Sequence, residues 1–184
     1  MMRLPLLAGL LLLVLAACGV APPPPATETD ISALAKNIAA LDPRVDPVEA
    51  QRAAEITYAT TAALTVSYGI TDPPLIHNTK VNMGLRPRGL CWHWAEDLET
   101  RLKAEGFETL AIHRAIANAD NPFRIDHSTA IIAARGTAWD DGVVIDPWRF
   151  GGRLYWGEVA RDPDYVWHAR AEVLARRAQR DAPG

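Results

Sequence analysis

The sequence predicts an α+β domain in which N-terminal helices, and then one further helix, precede an antiparallel sheet. Three observations predict it. Apolar residues recur at helical spacing through residues 30–68. Short apolar and β-branched runs bounded by turn residues fill residues 107–156. Between them, a helix opens on a cysteine, Cys91, after a long stretch rich in Pro, Asn and Gly.

The elements follow in order. Arg3 precedes an almost wholly apolar run, Leu4 to Ala17. This run is short and lightly flanked for a membrane-spanning helix, and it ends in small residues as a cleaved export signal does. Leu15-Ala16-Ala17-Cys18 resembles the lipobox of bacterial lipoproteins. The resemblance implies a signal peptide over residues 1–17, cleavage before Cys18, and a diacylglycerol on the Cys18 thiol. The chain would then work outside the cytoplasm, lipid-anchored and facing the periplasm. Gly19, rather than Asp, follows the cysteine, which by resemblance to enterobacterial sorting favours the outer membrane. Pro22 to Pro25 favour an extended polyproline conformation, so residues 18–29 read as a tether and residues 30–184 as one domain.

Asp30 reads as a helix N-cap, with Ile31, Leu34, Ile38 and Leu41 at helical spacing behind it, and Asp42-Pro43 as the stop. Asp46-Pro47-Val48-Glu49 restarts a helix with a cap, a proline at its first position and a capping-box glutamate. It is expected to run to Tyr68 and end at Gly69. Residues 70–90 read as a long loop, a length associated with function. The helix from Cys91 carries Ala95, Leu98 and Leu102 on the cysteine's face and closes at Gly106. Strands are expected at 107–116, 127–134 and 143–146, with turn chemistry at 136–142 and a short apolar stretch at 154–156. Asp162-Pro163 reads as the start of a last helix whose Arg170, Arg176, Arg177 and Arg180 form a solvated face.

The chain carries 19 Lys and Arg against 22 Asp and Glu, net −3, and loses one further positive charge if Arg3 is cleaved away. A mildly acidic balance gives no reason to expect a nucleic-acid partner. There are two cysteines. With Cys18 lipidated, Cys91 has no partner, and a lone thiol in an oxidising compartment is either buried and inert or a reactive group.

Cys91, His127 and Asp146 form the candidate catalytic set. A thiolate is favoured at a helix N-terminus and beside a histidine. If the strands at 127–134 and 143–146 pair as a hairpin, His127 and Asp146 are expected opposite each other, with Cβ atoms about 5 Å apart. Asp146 would hold one ring nitrogen and leave the other for the thiol. The Cys91 N–H is a candidate oxyanion donor, with Asn78, Asn82 or Trp92 as a second, and Trp148 a candidate shield over the His–Asp pair. His93 lies about 200° round the helix from Cys91 and is poorly placed as base. His77, His113 and His168 read as structural or surface residues, Asp126 as a turn residue or a substrate contact, and Asp140-Asp141-Gly142 as a turn. No pair has standard metal-ligand spacing, so no metal or cofactor is expected.

Gly89-Leu90-Cys91 with Ala95 and Leu98, then Gly106-Phe107, His127 and Ile145-Asp146-Pro147-Trp148, is similar to the transglutaminase-like, papain-like cysteine peptidase superfamily over about residues 84–150. The resemblance implies Cys91 as nucleophile, His127 as general base and acid, Asp146 as the orienting residue, and amide cleavage or transfer through a thioester without metal. Ser128-Thr129 after the histidine departs from many members, which carry a small or aromatic pair there. The expected substrate is an envelope protein or a peptidoglycan peptide. The rival readings are a catalytically silent envelope lipoprotein that binds a partner or the cell wall with the same fold, and a thiol hydrolase resembling NlpC/P60 endopeptidases. The second ranks lower because those usually place a histidine or other polar group third, where Asp146-Pro147-Trp148 stands.

Overall fold

The structure is a computed structural model that describes residues 23–182. The export signal expected over residues 1–17 and the lipidation site Cys18 lie outside the described residues. Among the described residues, no helix is long and apolar enough to cross a membrane.

Among the described residues, five α-helices and a five-stranded sheet make an α+β fold, as the sequence predicts. Helix α1, Glu28–Ala39, begins earlier than expected. Its cap is Thr27, not Asp30: the Thr27 hydroxyl accepts from the Asp30 N–H at 3.2 Å and the Asp30 carboxylate accepts from the Thr27 N–H at 2.8 Å. This reciprocal box takes Glu28 and Thr29 from the expected tether into the helix. Pro23 to Ala26 have no regular structure and line a groove with Tyr58, Tyr155 and Trp156.

Helix α2, Pro47–Ser67, is capped by Asp46, whose carboxylate accepts from the Val48 N–H at 2.8 Å. Its buried face is Ala50, Ala53, Ala54, Thr57 and Thr61, small residues that let α1 and α4 approach closely. Glu49 does not close a capping box. Its buried carboxylate accepts from the Glu108 N–H at 2.6 Å, the Thr109 N–H at 2.8 Å and the Thr109 hydroxyl at 2.6 Å, tying α2 to the entry of the sheet.

The stretch expected as a loop contains helix α3, Pro74–Asn82. It has only two turns and buries only His77, while Leu75 and Ile76 are exposed, so it lacks the apolar stripe by which a helix is read. Helix α4, Cys91–Lys103, buries Cys91, Trp94, Ala95, Leu98 and Leu102 against the sheet.

Strands β1 (Leu110–Ala117), β2 (His127–Ala134), β3 (Val143–Phe150), β4 (Arg153–Glu158) and β5 (Trp167–Ala169) form an antiparallel sheet in the order β4-β3-β2-β1-β5. Central β2 is buried throughout: Ala130, Ile132 and Ala134 join the core under α1, α2 and α4, and Ile131 joins Val144, Val159 and Trp167 on the opposite face. The last helix, α5, spans Arg170–Asp181 rather than starting at Asp162-Pro163. Asp162 is held by Arg149 and Trp167, and residues 167–169 are drawn out as an edge strand on β1.

Truncating Glu49 leaves two backbone N–H groups and a hydroxyl without their acceptor. Glu49→Ala is expected to lower unfolding stability by about 2–3 kcal/mol in urea titration at pH 7. Burial raises the Glu49 pKa, but the bonds from Thr109 and the Glu108 N–H outweigh it and the net shift is downward. The difference from wild type therefore fades as the pH falls through the lowered carboxyl pKa.

Candidate active site

The backbone before Cys91 is held on all sides. Leu90 at the N-cap has no side-chain acceptor, and its place is taken by His93, whose Nδ1 accepts from the Gly89 N–H at 3.1 Å and the Leu90 N–H at 3.2 Å. Trp94 Nε1 donates to the Gly89 carbonyl at 3.1 Å. Gly89 has φ +124°, and a Cβ there would stand 2.2 Å from His77 Nε2, so no other residue fits without displacing the His77 ring. His93 and His77 are thus supports of the loop that carries the cysteine. The His93 and Trp94 N–H groups both turn back to the Leu90 carbonyl. The Cys91 and Trp92 N–H groups, on the first two residues of the helix, have no acceptor within it and are the donors of its positive end.

His127 opens β2 and Asp146 lies midway along β3, and both are 1% exposed. The register differs from expectation. Ala130 pairs with Ile145 and Ile131 with Val144, which continues to put Asp146 across from Thr129, two residues from His127. The two still meet, because residues two apart on a strand share a face and diagonal neighbours are within reach. His127 Nε2 donates to Asp146 Oδ2 at 2.7 Å. Its Nδ1 has no hydrogen-bond partner, and the neighbouring Cys91 is among the groups that raise the pKa of the ring. The rings of Tyr165, Trp148 and Trp167 surround the imidazole with centroids at 4.6, 4.7 and 5.3 Å.

Burial disfavours the charged imidazole, but the Asp146 carboxylate, by charge and hydrogen bond, and then Cys91 outweigh it, and the pKa is raised to about 9. A raised histidine pKa stabilises the fold fully below its ordinary value of 6.5, and that contribution is lost as pH rises through about 9. The stability advantage of wild type over His127→Gln, from urea titrations at a series of pH values, is expected to shrink across that window.

Behind Asp146 stands a residue that the sequence analysis missed. Arg149 donates from Nε to Asp146 Oδ2 at 3.0 Å, and from its backbone N–H to Oδ1 at 3.2 Å. Its other nitrogens grip Asp162 at 2.6 and 3.0 Å and Asp164 at 3.2 Å. Trp167 Nε1 donates to Asp162 at 2.9 Å. The available sign was Arg149 three residues beyond Asp146. Asp162, Tyr165 and Trp167 gave none, because the segment bearing them read as a helix start.

The thiol lies beneath a loop. Cys91 is 7% exposed, and its Sγ donates to the Asp126 carbonyl at 3.6 Å. The loop of residues 118–126 is tied to α5: Arg177 pairs with Asp126 at 2.7 Å and donates to the Ala119 carbonyl at 3.2 Å, and Arg176 and Arg180 reach Asp120. These arginines, expected to form a solvated face, hold the loop over the cysteine. Loosening the tether exposes Cys91: Arg177→Ala is expected to raise its alkylation rate by roughly two- to fivefold, the range of a partly exposed ion pair. The pH midpoint of labelling should stay where it is.

Of the other expected site residues, Trp148 covers His127 and donates from Nε1 to Asn78 Oδ1 at 3.0 Å. Trp92 is 44% exposed beside Cys91, with its ring on His93 at 3.8 Å. Asn82 is exposed near the end of α3 and takes no part in the site's hydrogen bonds, whereas Asn78, one turn earlier, accepts from Trp148 on β3. Asp140 and Asp141 lie in a single 3-10 turn. Among the described residues, no cluster of three or more His, Cys, Asp or Glu is placed to hold a metal ion.

No family model matches the sequence, and neither a curated protein nor a solved structure shows significant similarity to it.

Proposed function

We propose that the chain is a thiol-dependent hydrolase or transferase of amide bonds, with a transglutaminase-like, papain-like core, anchored in the bacterial envelope through Cys18. The observation that carries this reading is the buried His127 Nε2–Asp146 bond of 2.7 Å, with Nδ1 unpaired and the neighbouring Cys91 at a helix N-terminus. In this reading the Cys91 proton passes to His127 Nδ1, and the thiolate attacks the carbonyl carbon of the amide. The oxyanion forms against the Cys91 and Trp92 N–H groups. The imidazolium then gives its proton to the leaving amine, and a thioester remains. Water or an acceptor amine, deprotonated by His127, attacks the thioester and releases the thiol. The substrate class is an envelope protein or a peptidoglycan peptide.

One set of observations favours a second reading, a silent binding lipoprotein. The thiol donates to a carbonyl of its own chain, and a groove of about 610 Å³ between α2, β4 and residues 23–26 is lined by none of Cys91, His127 and Asp146.

The two readings separate on thiol chemistry. In the full chain carrying Cys18→Ser, Cys91 is the sole thiol. Iodoacetamide labelling well below pH 8 that is lost in His127→Ala supports the enzyme. An ordinary thiol profile, unchanged by that substitution, would leave the binding protein.

A further inference from the structure

We propose that Arg149 is the positioning residue of this site: braced on Asp162 and clamped between two tyrosine rings, it fixes the Asp146 carboxylate against His127 and sets the pH range in which Cys91 reacts. The inference rests on the thiol-enzyme reading and adds to it a residue that touches neither the thiol nor the imidazole.

The geometry is that of a charged strut. The Arg149 side chain is 5% exposed, and its two carboxylate partners, Asp146 and Asp162, are 1% and 0% exposed. The guanidinium carbon lies 3.7 Å from the Tyr155 ring centroid and 4.7 Å from that of Tyr165. A planar guanidinium can give one edge to Asp146 and another to Asp162 while its faces stack on rings, which an ammonium cannot. The Tyr165 ring also lies on His127, so one residue packs against both the strut and the base.

The charges make this more than scaffolding. Asp146 Oδ2 accepts from both His127 and Arg149, so its negative charge is shared between them. With neutral His127 the group Asp146, Arg149 and Asp162 carries net −1, and protonating His127 brings it to zero. Without Arg149 it carries −2. The groups facing His127 are Cys91 from α4, Asp146 and Arg149 from β3, and Tyr165 from the segment before β5, while the Asp126 carboxylate is engaged by Arg177 of α5. Arg124 also lies over the Tyr165 ring, at 5.3 Å, but Arg149 is the cation bonded to Asp146, and its loss disfavours a nearby thiolate and holds the proton on the imidazole to higher pH. Both effects move the reactive range upward.

The test is the pH profile of Cys91 alkylation in the full chain carrying Cys18→Ser, compared across Arg149→Lys, Arg149→Met and Asp162→Asn, with His127→Ala as reference. Arg149→Met is expected to move the midpoint upward by about one pH unit. Asp162→Asn, which removes a negative charge from the same group, should move it the opposite way and by less, and Arg149→Lys, which keeps the charge, should recover most of the wild-type position. A purely structural role would lower stability or scale the rate at every pH while leaving the midpoint in place. A folded Arg149→Met with the wild-type midpoint would overturn the inference. If that variant does not fold, a wild-type midpoint in Asp162→Asn overturns it. A wild-type profile that does not depend on His127 overturns the enzyme reading and this inference together. A His127-dependent profile indifferent to Arg149 and Asp162 overturns this inference alone.

Discussion

The structure turns on one buried carboxylate. Asp146 sits in the central region of the sheet at 1% exposure, and a charge in that position persists only when its oxygens are fully engaged. Here the engagement comes from His127, from the Arg149 side chain and from the Arg149 backbone. Those three bonds constrain much around them. His127 is committed through Nε2, β3 departs from regular pairing with β4 just beyond Asp146, and Asp162 is pulled in to balance the arginine. The segment before β5 is thereby held as a loop, and Tyr165 and Trp167 close over the imidazole.

The second constraint is how α4 is delivered to this pair. Its apolar stripe from Cys91 to Leu102 lies against β1, β2 and β3, so the core of the domain places the cysteine. The same packing that buries Leu98 and Leu102 sets the height of Cys91 over the start of β2. The nucleophile candidate and the histidine thus sit on elements that cannot shift independently without opening the core. The loop of residues 118–126 is different in kind: its ties to α5 are ion pairs between partly exposed side chains, and such contacts open at low cost.

How much of this the sequence carried follows from which signals are local. The start of α4 at Cys91, the span of β2 and the cap of α2 at Asp46 were all legible, because each depends on residues within one turn or one strand. The chain order of cysteine, histidine and aspartate was legible too, and the histidine and aspartate do meet. What was not legible was set by distant partners. Glu49 carries a capping-box signature, yet Thr109, sixty residues away, claims its carboxylate. Asp162-Pro163 carries a helix-start signature, yet Arg149 and Trp167 claim the aspartate. Helix α3 was invisible because it is too short to show a period, and with it went the distinction between Asn78 and Asn82. The β2–β3 register was misjudged by two residues, which kept His127 and Asp146 on one face and so preserved their encounter; a slip by one would have separated them.

His93 gives the site one more property. Its Nδ1 serves as an acceptor for two N–H groups, and only an unprotonated nitrogen can do that. Burial, then the nearby positive charge of Arg88, push its pKa below the ordinary histidine value, against the weaker opposite pull of Asp97 and Glu96. The turn that presents the cysteine therefore keeps its form in mild acid, where a solvent-exposed imidazole would already have taken up a proton and released both N–H groups. Acid tolerance at this end of the helix is a matter of one histidine being kept neutral, while thirty-four residues further on the pKa of another is pushed the opposite way.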